Sequence, residues 1–344
     1  MTGPHTVAVY FVASPLQYLA ARRVAQCFDP GARHVLLWYK RTLASVVDPA
    51  EWDACAWLAW PRHDPLPGPF GRLRRLRANL REVAALVGPC EQLLLHSAVF
   101  DTEAINYFLD ALPRACGATS MHARILPDGI LSVRRYPLSR MRRALQWTRK
   151  LRRLVVPELN YRCFGGDRIG SDAPFCDRVY VVEGLPHEYD PAKVRVLPPL
   201  VDVDPEARRQ GAARRALVVG QPLTGFRLME RDDLALVTTR IHDWLVAEGF
   251  GEIDYKAHPK DRAHELNHSD YHVIDPPGAL ESWLARASYD AVVGVRSSAL
   301  LFARLIDPGH VRAVAFGWDL VRFRSEEERR AMQAAFEACG GEFR

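Results

Sequence analysis

The feature that most limits the fold is an alternation of short apolar runs with longer stretches of helical spacing. His5–Val12, His34–Tyr39 and Gln92–His96 each have the composition of one buried strand. Ser14-Pro15-Leu16-Gln17 follows the first of them and opens a helix running through Ala25, with Ser14 as N-cap and Pro15 at the first helical position. Further helices are expected near Arg41–Val47, at Arg72–Val87 and at Thr102–Leu112, with a short apolar run at Ala54–Trp60. The pattern then restarts. Arg178–Val182, Lys193–Leu197, Ala216–Val219, Glu252–Ala257, Tyr289–Val295 and Arg312–Phe316 read as strands, and Asp232–Glu248 and Ser325–Ala338 as helices. Strands interleaved with helices argue for an α/β protein with parallel sheets, not for separate all-α and all-β parts.

At 344 residues the chain is long enough for two domains of about 150 residues each. The expected division is 1–200 and 201–344, joined near 198–213, with the last helix (325–338) free to pack back on the first domain. A hydrophobic content of 48% with 25% charged residues excludes a disordered chain or a fibre. The seven cysteines are scattered, with no Cys-x-x-Cys pair, which excludes a disulfide scaffold or a zinc ribbon and points to reduced thiols in the cytoplasm. The longest uncharged run, Thr6–Ala21, is 16 residues and contains Pro15, too short and too broken to span a bilayer. A net charge of +5 is modest, and no nucleic-acid partner is expected.

Three segments put polar groups just beyond an apolar strand, where open α/β sheets bind ligands. In Tyr255-Lys-Ala-His258-Pro259-Lys260-Asp261, Pro259 keeps His258 extended and ends the strand, leaving an imidazole flanked by Lys256 and Lys260. Such a group suits an anion; the ordinary alternative is a strand-end histidine satisfied by backbone. In Gly294-Val-Arg-Ser297-Ser298-Ala-Leu300, tandem hydroxyls meet a helix N-terminus, again an anion site, or simply an N-cap. In Arg124-Ile-Leu-Pro127-Asp128-Gly129-Ile130, Asp128 is either a turn residue or a carboxylate able to act as general base. Asp202-Val-Asp204 looks like a metal-binding pair but lies in a Pro-rich linker and reads as surface. The chain has no phosphate-binding P-loop, no Gly-x-Gly-x-x-Gly and no His-Glu-x-x-His.

Taken together, Asp128-Gly129, His258-Pro259 and Ser297-Ser298, in that order, resemble the bacterial sialyltransferases and polysialyltransferases of the GT-B type. Ser14-Pro15-Leu16-Gln17 and Gly220-Gln221-Pro222-Leu223 add to the resemblance, which spans residue 7 to about 300. It implies two Rossmann-like domains of doubly wound parallel sheet facing a central cleft. It also implies inverting, metal-independent transfer of sialic acid, or a related nonulosonic acid, from a CMP-activated donor to a glycan or glycolipid hydroxyl, as in surface polysaccharide or lipooligosaccharide synthesis. No cofactor is then required. On this resemblance His258 and Lys260, with Ser297, Ser298, Gly220, Gln221, Pro222 and Ser14, contact the donor, and an acidic residue of the first domain is the base. The family has two acidic residues before its glycine, and here the first is Pro127. That leaves Asp128 as the base, with Asp101 and Glu103 as alternatives. A transferase using CMP-Kdo or a UDP-sugar, and a non-catalytic nucleotide- or glycan-binding paralogue, are the competing readings.

Residues 134–153 carry nine Arg or Lys and no acid. Met141, Leu145, Thr148, Leu151 and Val155 fall at helical spacing, so a helix from Ser139 would have a semi-apolar face and a cationic one. Ordinarily the apolar face packs inward and the arginines are solvated. The functional alternatives are an anionic membrane surface, placing the protein peripherally at the inner membrane, or a groove for an acidic glycan.

Overall fold

The computed structural model describes residues 5–128, 135–201, 213–276, 280–307 and 309–344. Gly129, Ile130, Arg134 and the Asp202/Asp204 pair lie outside the described residues. The chain forms two compact units, one of residues 1–182 and 187–198, the other of residues 183–186 and 199–344.

Unit one is built on strands β1 (Thr6–Val12), β2 (Arg33–Trp38), β3 (Ala54–Trp57), β4 (Gln92–Ser97), β5 (Ser120–Ile125), β6 (Cys176–Val182) and β7 (Val194–Leu197), with helices α1 (Pro15–Cys27), α2 (Gly71–Val87), α3 (Glu103–Asn106), α4 (Phe108–Cys116) and α5 (Arg140–Leu151). The strands are parallel in the order β3-β2-β1-β4-β5-β6-β7. The sheet therefore grows from β1 in both directions, and its switch point lies between β1 and β4. Val7, Val9, Phe11, Leu93 and Leu95 are wholly or nearly buried in its core, as central strands covered on both faces require.

Unit two holds β8 (Arg215–Val219), α6 (Arg231–Ala247), β9 (Glu252–Lys256), β10 (His272–Val273), α7 (Leu280–Ala287), β11 (Ala291–Gly294), α8 (Ser298–Ile306), β12 (Arg312–Ala315), α9 (Glu326–Ala338) and β13 (Glu342–Phe343). Its sheet is also parallel, in the order β10-β9-β8-β11-β12-β13, with the switch point between β8 and β11. Two doubly wound parallel sheets are the GT-B architecture. The C-terminal helix α9 belongs to unit two, where Phe336 packs on Trp318 and Phe343.

Local structure differs from the sequence-based expectation at several points. The helix expected near Arg41–Val47 is a single 3-10 turn, Arg41–Leu43. The helix expected at Thr102–Leu112 breaks at Tyr107 into α3 and α4, where the Asn106 side-chain amide donates to the carbonyls of Phe100 (3.1 Å) and Arg162 (3.0 Å). The N-caps follow the sequence closely. Ser14, Ser139, Ser297 and Ser325 each accept a backbone N–H from the first turn of the helix that follows.

Candidate functional site

In unit two, β9, β8 and β11 are adjacent and parallel, so the loops after Lys256, Val219 and Gly294 leave the same edge of the sheet at its switch point. His258 and Ser297 flank the Gly220–Leu223 loop, with strand axes two spacings, roughly 10 Å, apart. Hydrogen bonds stitch the three loops together. Gly220 N–H donates to the Lys256 carbonyl at 2.9 Å, and Arg296 N–H donates to Gln221 Oε1 at 2.9 Å.

Gly220 is required where it stands. A Cβ there would overlap the Tyr255 hydroxyl and lie 2.8 Å from its Cζ. Tyr255 is held by its own bonds, donating to the Glu265 carbonyl at 2.8 Å. Burial and the neighbouring Asp261 carboxylate push its pKa far above the usual tyrosine range, so it stays protonated. Asp261, itself buried, accepts the backbone N–H groups of Ala263 (3.2 Å) and Glu265 (2.9 Å). The buried Glu265 carboxylate then accepts from Thr224 N–H at 3.0 Å and from the Thr224 hydroxyl, tying the His258 loop to the Gly220 loop. Sequence reading missed Tyr255, Asp261, Glu265 and Thr224 as positioning residues. Only Asp261, two residues after Pro259, carries a local signal, that of an Asx turn.

His258 is half-buried, and its Nδ1 accepts the Lys260 N–H at 3.1 Å. In the neutral ring the proton is therefore on Nε2, which leaves one donor for a ligand. Burial, with Lys260 and Lys256 nearby, holds the His258 pKa below its ordinary value, so the imidazole is neutral at pH 7. The Lys256 ammonium is paired with Asp275 at 2.7 Å, and the Lys260 ammonium stands over the Phe226 ring at 5.9 Å.

Ser297 caps α8, accepting Ala299 N–H at 3.2 Å, and Ser298 is the first residue of that helix. Arg296 is occupied in packing. Its guanidinium donates to the Arg322 carbonyl at 3.1 Å, stacks on Phe323 and lies 3.6 Å from Glu328 of α9. Pro222 and Gly220 are buried, and Gln221 is partly exposed.

In unit one, Ser14 caps α1, its hydroxyl accepting Gln17 N–H at 3.3 Å while Gln17 Oε1 accepts Ala13 N–H at 2.7 Å, a near capping box. Asp128 is partly buried after β5, and its charge adds to the burial that raises the pKa of Tyr39, which follows β2. The structure thus groups Gly220, Gln221, Pro222, His258, Lys260, Ser297 and Ser298 in unit two, and places Ser14 and Asp128 in unit one.

Asp101 and Glu103 are not open carboxylates. Asp101, buried, accepts from Arg142 (2.9 Å), Gln146 (3.2 Å) and the Tyr161 hydroxyl (3.2 Å). Glu103 is bonded to Arg152 and lies within ion-pair distance of Arg149 and Arg72. They dock the basic helix, which corrects their standing as alternative bases. The helix departs from the ordinary arrangement with its apolar face inward. Arg142, Gln146 and Arg149 form its inward stripe, while Met141, Leu145, Trp147 and Leu151 are exposed, continued by Leu154 and Val155. Replacing Asp101 by Asn should cost about 3 kcal/mol, because it leaves Arg142 and Arg149 beside a buried neutral group. Thermal denaturation should show a fall of roughly 6–12 °C, with transfer activity kept below the transition; loss of activity in the folded variant would restore Asp101 as a base.

Residues 200–311 match the model of the alpha-2,8-polysialyltransferase (POLYST) family. That third of the chain contains β8, β9 and β11 and all three loops, and over it the chain is similar to the polysialyltransferase family. No curated protein matches the chain in sequence. Among solved structures, spinosyn rhamnosyltransferase SpnG complexed with thymidine diphosphate aligns at 14% identity and a TM-score of 0.51, covering 98% of this chain and 86% of that one. The glycotransferase of kitacinnamycin aligns at 12% identity and a TM-score of 0.50, covering 100% and 86%. At these identities the likeness is one of fold, GT-B. The family match and the fold together support a glycosyltransferase. Among the described residues, no helix is long and apolar enough to cross a membrane.

Proposed function

We propose that the chain transfers sialic acid, or a related nonulosonic acid, from a CMP ester to a glycan hydroxyl with inversion and without a metal. The observation that carries this reading is the loop cluster at the ends of β9, β8 and β11, inside the segment similar to polysialyltransferases, with His258 presenting a single Nε2–H. In the proposed step the acceptor oxygen attacks the anomeric carbon as its proton passes to Asp128. The bond from that carbon to the phosphate oxygen breaks, its electron pair stays on the phosphate, and CMP leaves. His258 Nε2–H, the Ser298 hydroxyl and the N-terminus of α8 meet the charge that grows on the departing phosphate. Ser297 acts mainly by capping that helix; Gly220, Gln221, Pro222 and Lys260 shape the nucleotide side of the site, and Ser14 contributes from unit one. Calorimetric titration with CMP, UDP and GDP tests the donor: CMP should bind most tightly, and CMP should be released from CMP-sialic acid faster when an acceptor glycan is present. Preference for UDP would favour the UDP-sugar reading, and binding without turnover would favour a non-catalytic paralogue.

Helix α5, with its apolar face outward, supports a place of action at an anionic membrane on the cytoplasmic side, consistent with a glycolipid acceptor. Its exposed Trp147 and Leu151 are flanked by exposed Arg140, Arg143 and Arg153, a combination suited to lying in a charged lipid interface. The double substitution Trp147→Ser, Leu151→Ser should weaken flotation with phosphatidylglycerol-containing vesicles by about tenfold or more. Unchanged flotation, or equal binding to purely zwitterionic vesicles, would contradict this placement.

A further inference from the structure

Residues 257–271 connect β9 to its parallel neighbour β10 without a helix. Parallel strands are ordinarily joined through a helical crossover, and an irregular one of this length needs other anchors. The backbone is not relaxed, since His264 (φ 53°) and Leu266 (φ 69°) both sit in the left-handed region. The end nearest His258 is anchored by Asp261 and Glu265, as described above. At the other end Tyr271 N–H donates to the His268 carbonyl at 3.1 Å and Asp270 N–H to His268 Nδ1 at 3.4 Å, closing a turn that a bound ion would have to open at Nδ1. There the crossover meets His242 of α6.

The side chains at that meeting point are three metal-ligand types converging on one another. Asp270 Oδ2 is 3.1 Å from His242 Nε2 and 3.4 Å from His268 Nδ1, and one ligand atom from each residue lies within 4.8 Å of the others. A tetrahedral zinc site with bonds of 2.0–2.1 Å has donor atoms about 3.3 Å apart, and the hydrogen bond and ion pair that hold the metal-free cluster together span 3.1 and 3.4 Å. The imidazole rings lie 3.8 Å apart between centroids, tilted by 30°. The second ring nitrogen of His242, Nδ1, lies 3.6 Å from Asp243 Oδ1, an ion-pair distance rather than a hydrogen bond. The side chains of His242 and His268 are about one-fifth and one-third exposed, which leaves an open path for an ion and a water as fourth ligand.

We propose that His242, His268 and Asp270 form a binding site for a divalent transition metal of the zinc class, which clips the crossover to α6. The site is separate from the proposed chemistry. It lies at the start of β10, whereas His258 follows the end of β9, and the two strands run parallel, so the clip and the His258 loop hold opposite ends of one segment. Its consequence is order in that segment: with the ion bound, the chain from His258 to Asp270 is fixed at both ends. Sequence reading missed the site because His242 lies 26 and 28 positions before its partners, with no short-range motif.

The test uses the full-length chain after dialysis against a chelator, titrated with Co(II) and with Zn(II). One equivalent of Co(II) should bind and give the visible absorption of a four-coordinate site, and Zn(II) should displace it and raise Tm. His242→Ala and His268→Ala should each abolish the absorption while keeping the metal-free circular dichroism spectrum. Absence of saturable binding would overturn the proposal, as would the same binding in both histidine variants, which would mean an adventitious ion only. None of these readouts depends on glycosyl transfer, so the result stands apart from the proposed function.

Discussion

Replacing His258 by Ala should lower turnover by roughly a hundred- to a thousandfold, the usual cost of removing one preorganised donor from a site of developing charge. The structure says how that donor is preorganised. Lys260 N–H occupies Nδ1, which puts the proton of the neutral ring on Nε2, and Pro259 and the Asp261 turn hold the ring in place. The sign of its pH behaviour follows. In the free protein burial and the two lysines favour the neutral ring, while a bound phosphate favours the charged one. Binding of CMP should therefore take up a proton as the pH falls from about 7 toward the ordinary histidine value of about 6.5. Calorimetry in buffers of different ionisation enthalpy reads this uptake, and the alanine variant should show less of it. Wild-type turnover in His258→Ala would remove the imidazole from the mechanism.

Asp128→Asn should reduce transfer by about a hundred- to ten-thousandfold if its carboxylate takes the acceptor proton. CMP affinity should be nearly unchanged, because the donor loops belong to unit two while Asp128 follows β5 of unit one. Measuring CMP binding and CMP release on the same preparation separates these effects. With Asp101 and Glu103 occupied by Arg142, Arg149 and Arg152, near-normal transfer in Asp128→Asn would leave the inverting mechanism without a general base among the carboxylates considered.

Much of the fold was legible because the signals are local. Each central strand is an apolar run, and Ser14-Pro15, Ser139, Ser297 and Ser325 mark helix starts through hydroxyls that reach only to their own first turns. The two-residue strands β10 and β13 were not legible, since they exist only through pairing with β9 and β12. The orientation of α5 was left open by the sequence for a related reason. Hydropathy places Leu145 and Leu151 inward, but the buried Asp101 and the partly buried Glu103, some 40 residues earlier, hold the arginines inward instead. In the candidate site, the residues at strand ends were readable from their places just after apolar runs, whereas the position of β8 between β9 and β11 was not. The bonds that set their geometry, from Thr224 to Glu265 and from Arg296 to Gln221, span 41 and 75 residues and leave no trace in a short window.

The most direct measurement is a crystal structure of the protein with CMP bound. The phosphate should lie at the ends of β9, β8 and β11, within hydrogen-bond reach of His258 Nε2 and of the first turn of α8. A phosphate bound elsewhere, with His258 turned away from it, would contradict the account.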